Sequence, residues 1–330
     1  MEALVDRAIG FVADRFHASR IPSASVGFLG EARLWAAQDA LEVFRPRALE
    51  LARAMDAGEP GAAEAYGAVV EEALEHMRRR TRDRARTPLE RVAASVHGRF
   101  ADTDEEEYLD DPDLDPEMRV RMLDHLDEIN RLVGNYQSFL RAMQPLFAER
   151  GPTRILDLAA GHGGFALDVA RVARERGLPI EITATDLRPE YLALGEAVAA
   201  REGLDVRFAV QDALDLSNLE PGAYDVICCT QAIHHFPASM TARMFRESVR
   251  AAGRGVAFVD GCRSVMHGAL IHALGRVRYQ DPGLAHDAWV SFRRFYSPEE
   301  LGLIARLGPE APGVEAKWMR PAHCLLRYRA

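Results

Sequence analysis

The sequence predicts an α/β chain: a doubly wound, mostly parallel sheet preceded by an all-α N-terminal domain. Three observations carry that prediction. Up to about residue 97, apolar residues recur three and four apart, the spacing of amphipathic helices. After Gly151-Pro152 the texture changes to short β-rich runs alternating with amphipathic stretches, which builds a parallel sheet between two helical layers. Each apolar run ends in a polar or acidic residue, so the carboxyl edge of such a sheet collects chemistry.

The first residues, "MEALVDRAIGFVADRF", break their apolar positions with acids and arginines at helical spacing, which reads as an amphipathic helix and not a signal peptide. Turns fall at Ile21-Pro22-Ser23 and at Gly58-Glu59-Pro60-Gly61. Between them runs a helix that Pro46 should kink or break. Residues 1–97 are assigned as a helical domain, and its apolar faces call for a partner surface, either over the ligand site or in a homodimer. Residues 98–150 are an acidic linker and capping helices. The stretch "ADTDEEEYLDDPDLDP" has the charge and prolines of a solvated loop, and the basic run "RRRTRDRAR" upstream can satisfy it within the chain. Residues 151–330 form the ligand-binding domain, with strands over Arg154 to Leu158, Ile180 to Thr185, Val206 to Val210, Tyr224 to Cys229 and Gly255 to Asp260. Near the end, "SPEEL" starts a helix, with Ser297 as cap and Pro298 in the first position.

The chain has 330 residues, 48% of them hydrophobic and 28% charged, and a formal net charge of −9. That balance argues against a general nucleic-acid or anionic-membrane binder, which would present a basic surface. No uninterrupted apolar run reaches the roughly 18–20 residues of a membrane span, and a cytoplasmic protein is expected. The four cysteines, Cys228, Cys229, Cys262 and Cys324, lack metal-site spacing and read as free buried thiols.

The polar strand ends are Asp157, Asp186, Asp212, Thr230 with Gln231, and Asp260. The spacing Gly161-x-Gly163-x-x-Ala166 fits a dinucleotide fingerprint loosely. A helix N-terminus attracts a pyrophosphate, but a carboxylate beside it repels one, so Asp157 favours a phosphate-free ligand with an ammonium or sulfonium group. Asp186 is placed to accept the hydroxyls of a ribose, and Asp212 to accept from an exocyclic adenine amine.

The run Asp157-Leu158-Ala159-Ala160-Gly161-His162-Gly163 resembles the D-x-G-x-G-x-G motif of class I S-adenosylmethionine-dependent methyltransferases, with Ala159 in place of the first glycine. The resemblance covers about residues 151–330 and takes in "INRLVGNYQSFL" as the family's N-terminal cap. It implies a Rossmann-like sheet of seven strands and S-adenosyl-L-methionine as cofactor. By that resemblance Ala159, Ala160, Gly161 and Gly163 face the methionine part, beside Asp157. Asp186 and Leu187 take the ribose, and Gln211, Asp212 and Ala213 line the adenine. Thr230 and Gln231 close the site at the fourth strand.

In "CTQAIHHFPASM", His234 and His235 stand at the rim of the crevice, where a histidine can deprotonate a phenol, enol or amine. His235 is favoured by its resemblance to a family position. No metal is expected, because a catechol-type site would want an acid after the fourth strand and Asp-Asn after the fifth, where this chain has Thr230-Gln231 and Asp260-Gly261. The segment beyond the fifth strand resembles the lid of small-molecule methyltransferases and offers Asp260, Arg263, His286, Trp289, Arg293 and Tyr296 to a substrate. Trp289, Phe292 and Phe295 read equally as core packing. The resulting expectation is metal-independent methyl transfer to a small molecule, foremost a phenolic or enolic oxygen of a secondary metabolite. N- or C-methylation, a nicotinamide-dependent oxidoreductase and a non-catalytic binding module are the alternatives. Methylation of protein or nucleic acid lacks both a basic face and an Asn/Asp-Pro-Pro-aromatic signature.

Overall fold

The computed structural model describes residues 24–101, 103–263, 265–309, 313–319 and 322–330. The helix and turn expected over residues 1–23 lie outside them. Helices α1 (Ala24–Asp56), α2 (Ala62–Asp83) and α3 (Pro88–Ala101) come first, then a 3₁₀ turn (Tyr108–Asp110), α4 (Pro116–Leu132) and α5 (Asn135–Met143). Helix α1 runs through Pro46 unbroken. Pro46 faces solvent, where water can satisfy the freed carbonyl, while Ala36, Ala40, Ala48 and Ala52 of the same helix are buried.

The domain that follows alternates as predicted: β1 (Thr153–Leu158), α6 (Gly164–Arg176), β2 (Ile180–Asp186), α7 (Pro189–Glu202), β3 (Val206–Val210), β4 (Tyr224–Thr230), α8 (Ala238–Ala251) and β5 (Ala252–Gly261). Then come α9 (Val265–Val277), α10 (Pro282–Arg294), α11 (Pro298–Arg306), β6 (Glu315–Met319) and β7 (His323–Arg329). The seven strands form one sheet in the order β3-β2-β1-β4-β5-β7-β6, parallel except for β7, which is antiparallel to both neighbours. Strand order reverses between β1 and β4, and ligands of doubly wound sheets bind at the carboxyl ends beside that reversal.

Alternation along each strand divides the core. Leu156, Leu158, Ile227, Cys229, Val256 and Phe258 face one layer, which contains α8 and α11. Ile155, Ile182, Val226, Cys228, Ala257 and Val259 face the other, which contains α5 and α6. The N-terminal helices belong to the first of these cores: Tyr66, Val70, Leu74 and Met77 of α2 pack in the same cluster as Phe245 and Leu303. The apolar faces of α1 and α2 are thus buried on the sheet domain and share its core. The basic run finds its partners on α1 and α11 and not in the acidic stretch. Arg78 donates to Glu300 (2.8 Å) and Arg80 to Asp39 (3.0 Å), and the Arg80 and Arg84 guanidinium groups lie over the Trp35 ring. All four cysteines are free and buried. Ser297 caps α11 in a complete capping box with Glu300. Among the described residues no helix is long and apolar enough to cross a membrane.

Candidate functional site: a cleft at the carboxyl edge of the sheet

Between β1 and α6 the backbone turns left-handed three times, at Ala159 (φ 50°), Gly161 (φ 57°) and Gly163 (φ 77°). Glycine is required at Gly163, where a Cβ would meet Phe208 at 2.8 Å and Ala184 at 3.3 Å. Ala159 holds the same backbone region with a methyl group, a strain of about 1–2 kcal/mol. The end of β2 fixes this turn: Asp186 accepts the Gly161 N–H at 2.9 Å through Oδ2 and the Arg188 N–H at 2.9 Å through Oδ1.

Helices α4 and α5 latch onto the same turn. Asp127 accepts from the Tyr136 hydroxyl at 2.5 Å and from Arg131 at 3.0 Å, and it pairs with His162 Nε2 at 3.0 Å. Burial pushes the Asp127 carboxyl up, and the bonds from His162 and Tyr136 with the Arg131 charge outweigh it, leaving the group below its ordinary value. One turn along α4, Asn130 Oδ1 accepts from Gln231 at 3.1 Å and from Asn135 at 2.8 Å. The loops after β1 and β4 are therefore held by one helix.

A cavity of about 750 Å³ opens over this edge, within the range of ligand sites. Ala159, Ala160, Gly161, Asp186 and Leu187 line it, as do Gln211, Asp212, Ala213, Thr230 and Gln231. Gly163 and Asp157 do not. Asp157 lies one layer beneath the loop, because strand alternation turns it toward α6 with Cys228, its neighbour in register on β4. Cys228 Sγ donates to Asp157 Oδ1 at 3.5 Å, and Oδ2 has no hydrogen-bond partner. Burial pushes this carboxyl up to about 8. In its ionised form this unpartnered acid under the glycine turn fits a ligand bringing positive charge above it and opposes a diphosphate.

The far end of the cavity is largely apolar, with Leu123, Leu126, Leu270, Ile271, Phe292 and Phe295 on its walls. Its polar corner is made by Glu107, His234 and His235, all of which line the cavity. Asp260 holds His234 twice, accepting from its backbone N–H at 2.8 Å and from Nδ1 at 2.9 Å. Glu107 Oε1 stands 3.5 Å from His234 Nε2 and also accepts from Ser291 Oγ at 2.8 Å. Burial alone would push His234 down, but the carboxylates of Asp260 and Glu107 raise it to about 10. At neutral pH, His234 is accordingly an imidazolium, already loaded with the proton a base would take, which removes it from the base role expected of it. His235 is more open: Nδ1 lies 3.2 Å from Asp110 and Nε2 4.0 Å from Glu107.

The acidic stretch is therefore not a solvated linker. Its Glu107 is buried, and the segment is pinned where Asp287 accepts the Tyr108 and Leu109 N–H groups at 2.8 and 3.1 Å. Tyr191 donates to Leu109 O at 2.7 Å from the other side. Nothing in the charge pattern of "DTDEEEYLDD" separates Glu107 from its exposed neighbours.

None of the residues offered to a substrate lies on the cavity wall. Asp260 supports His234 from behind. Arg263 is buried against Glu300 at 3.3 Å, and Arg293 pairs with Glu105 at 3.2 Å. His286 stacks on Tyr108 with ring centroids 4.4 Å apart, and Trp289 packs edge-on to His272. The Tyr296 hydroxyl donates to Phe236 O at 2.8 Å. The corrections share one cause: helical spacing shows that a segment has a polar face without showing which face meets the cavity. Phe292 and Phe295, which also read as core, line the wall instead.

This sheet order, with its reversed last strand, glycine turn and acidic β2 end, is the arrangement of class I S-adenosylmethionine-dependent methyltransferase domains. Residues 155–255 match the family described as "Methyltransferase domain". A demethylmenaquinone methyltransferase of Thermus thermophilus is 36% identical over 112 residues, 33% of this chain and 49% of that protein. A ubiquinone biosynthesis O-methyltransferase of Xanthomonas euvesicatoria is 30% identical over 108 residues, 31% of this chain and 43% of that protein. The match thus spans less than half the length of either relative. Among solved structures, an O-methyltransferase family protein from Burkholderia thailandensis is 18% identical, with a TM-score of 0.46 over 65% of this chain and 60% of that one.

Proposed function

We propose that this chain transfers the methyl group of S-adenosylmethionine to a phenolic or enolic oxygen of a small molecule, foremost a secondary metabolite. The observation that carries the reading is one continuous cavity with two unlike ends: a glycine turn backed by acids, and an apolar chamber with a polar corner. When bound, the cofactor supplies a methyl group on a positively charged sulfur, already activated for in-line displacement. Asp186 orients the ribose, and the backbone of Ala159 to Gly161 allows close approach of the methionine part. Gln211, Asp212 and Ala213 border the adenine, and Thr230 and Gln231 close the site at the end of β4. The unpartnered Asp157 carboxyl beneath the turn adds negative potential under the sulfonium when it ionises, around and above pH 8.

The apolar chamber excludes water and holds a flat acceptor with its hydroxyl at the corner formed by Glu107, His234 and His235. There the acceptor loses its proton, and His235 is the ring placed to receive it when the corner holds no cation. Alignment supplies most of the rate, and proton removal contributes about 10²–10⁴-fold where the acceptor is not already ionised. A proton-handling corner suits an acceptor that loses a proton on methylation, as a phenol or enol does. The relatives named above and an ajmaline N-methyltransferase of Rauvolfia serpentina, 31% identical over 113 residues, support a small-molecule acceptor. We also propose that a second copy docks on the N-terminal helices, where Leu34 and Val43 of α1 and Val92 of α3 are exposed.

The test is incubation of the full chain with methyl-labelled S-adenosylmethionine and a panel of phenols and enols, read by mass spectrometry. Label on oxygen supports the reading. Label on nitrogen or carbon alone, or cofactor binding without turnover across the panel, overturns the oxygen assignment or the enzyme reading respectively.

A further inference from the structure

The polar corner has the construction of a metal site. An aspartate accepts at each Nδ1: Asp260 for His234 at 2.9 Å and Asp110 for His235 at 3.2 Å. Carboxylates only accept, so both Nδ1 atoms carry hydrogen, and once a cation displaces any proton on Nε2 each ring points that lone pair away from its aspartate. Those two atoms face one carboxylate, at 3.5 Å for His234 and 4.0 Å for His235, too long for N–H···O bonds of about 2.7–3.2 Å. One ligand atom from each of the three residues lies within 4.8 Å of the others. A cation with bonds of about 2.0–2.2 Å sets neighbouring ligands about 2.8–3.6 Å apart, so a small rotation of His235 closes the set.

We propose that Glu107, His234 and His235 bind a divalent transition-metal cation through the Glu107 carboxylate and the two Nε2 atoms, with Asp260 and Asp110 fixing the tautomer of each ring. A carboxylate on the second nitrogen of a ligating histidine is the usual outer support of such sites. Two imidazoles and one carboxylate suit Zn(II) or Fe(II) better than Mg(II) or Ca(II), which take oxygen ligands. The charge agrees: three carboxylates meet two rings here, countered by Arg294 at 3.4 Å from Asp110. All three ligands line the cavity, so the open positions face the acceptor. Resting on the methyl-transfer reading, the consequence is that an acceptor hydroxyl bound to the cation loses its proton to water near neutral pH; His235 then serves as ligand and not as base. The expectation of no metal rested on the positions after β4 and β5, whereas Glu107 arrives from a segment that precedes β1.

The test uses the full chain stripped with chelator and titrated with Co²⁺ and Zn²⁺, followed by calorimetry and, for Co²⁺, by its visible absorption bands. One ion per chain is expected, with affinity reduced about 10–100-fold or more in Glu107→Gln and in His235→Ala, and about 10-fold in Asp110→Asn. The His235 side chain is 29% exposed, so His235→Ala carries the test even where Glu107→Gln fails to fold. No stoichiometric binding by the wild-type chain, or wild-type affinity in His235→Ala, overturns the proposal. Metal binding is read without cofactor or acceptor, so its failure is separate from failure of methyl transfer.

Discussion

Asp186 Oδ2 accepts the Gly161 N–H at 2.9 Å, so the end of β2 sets the turn that follows β1. Asp186→Ala removes both that support and the proposed ribose acceptor. A hydrogen bond to a charged group contributes about 1.5–3 kcal/mol, so affinity for S-adenosylmethionine should fall about 10–100-fold by calorimetry, with little change in the far-ultraviolet spectrum. Unchanged affinity places the ribose elsewhere.

Asp157 is held up at about 8 by burial. The native chain therefore keeps this proton more tightly than the unfolded one, and the group costs stability increasingly as pH rises from its ordinary carboxylate value to about 8. Asp157→Asn should melt above the wild type by a margin that grows over that window and vanishes in acid. Ionisation above pH 8 should also raise the preference for the sulfonium cofactor over its uncharged thioether product. A pH-independent ratio of the two affinities denies Asp157 that electrostatic role.

Glu300 behaves oppositely. Burial alone would push its carboxyl up, but Arg263, Arg78 and the Ser297 N–H hold it well below the usual range. A depressed carboxylate stabilises above its ordinary value, and that stability is lost as pH falls toward the depressed one. Glu300→Gln leaves Arg263 buried without its partner and should cost about 3–5 kcal/mol. Its melting temperature should be low at neutral pH and should vary less than the wild type's between pH 5 and about 2; parallel profiles rule this out.

At the start of α6, a methyl group on Gly164 would run into the Asp127 carboxylate and the Tyr136 hydroxyl. Gly164→Ala should force the α4 latch off the turn and cost about 1–3 kcal/mol, with weaker cofactor binding. Stability and affinity both at wild-type levels show that the latch is not needed.

Much of the fold was legible because buried parallel strands are apolar on both faces: Ile155-Leu156 and Val226-Ile227-Cys228-Cys229 stand out from the helices around them. The last two strands did not, since β6 reads Glu-Ala-Lys-Trp-Met, a half-buried edge with no continuous apolar run. At the site, residues fixed by backbone position, such as Ala159 to Gly161 and Asp186, could be placed from the motif. Asp157 was legible as an acid at a strand end but not as one facing α6, because the side on which a strand buries its odd residues is set by the whole sheet. Glu107 was illegible altogether: it meets His234 across 127 positions, and the docking of its segment between α10 and Tyr191 brings them together.

The most direct measurement is calorimetric titration of the full chain with S-adenosylmethionine, S-adenosylhomocysteine and NAD⁺. Saturable one-to-one binding of both adenosyl sulfur compounds, weakened by Asp186→Ala, with no heat from NAD⁺, is the outcome this structure predicts. Saturable binding of NAD⁺ with no affinity for either sulfur compound would contradict it.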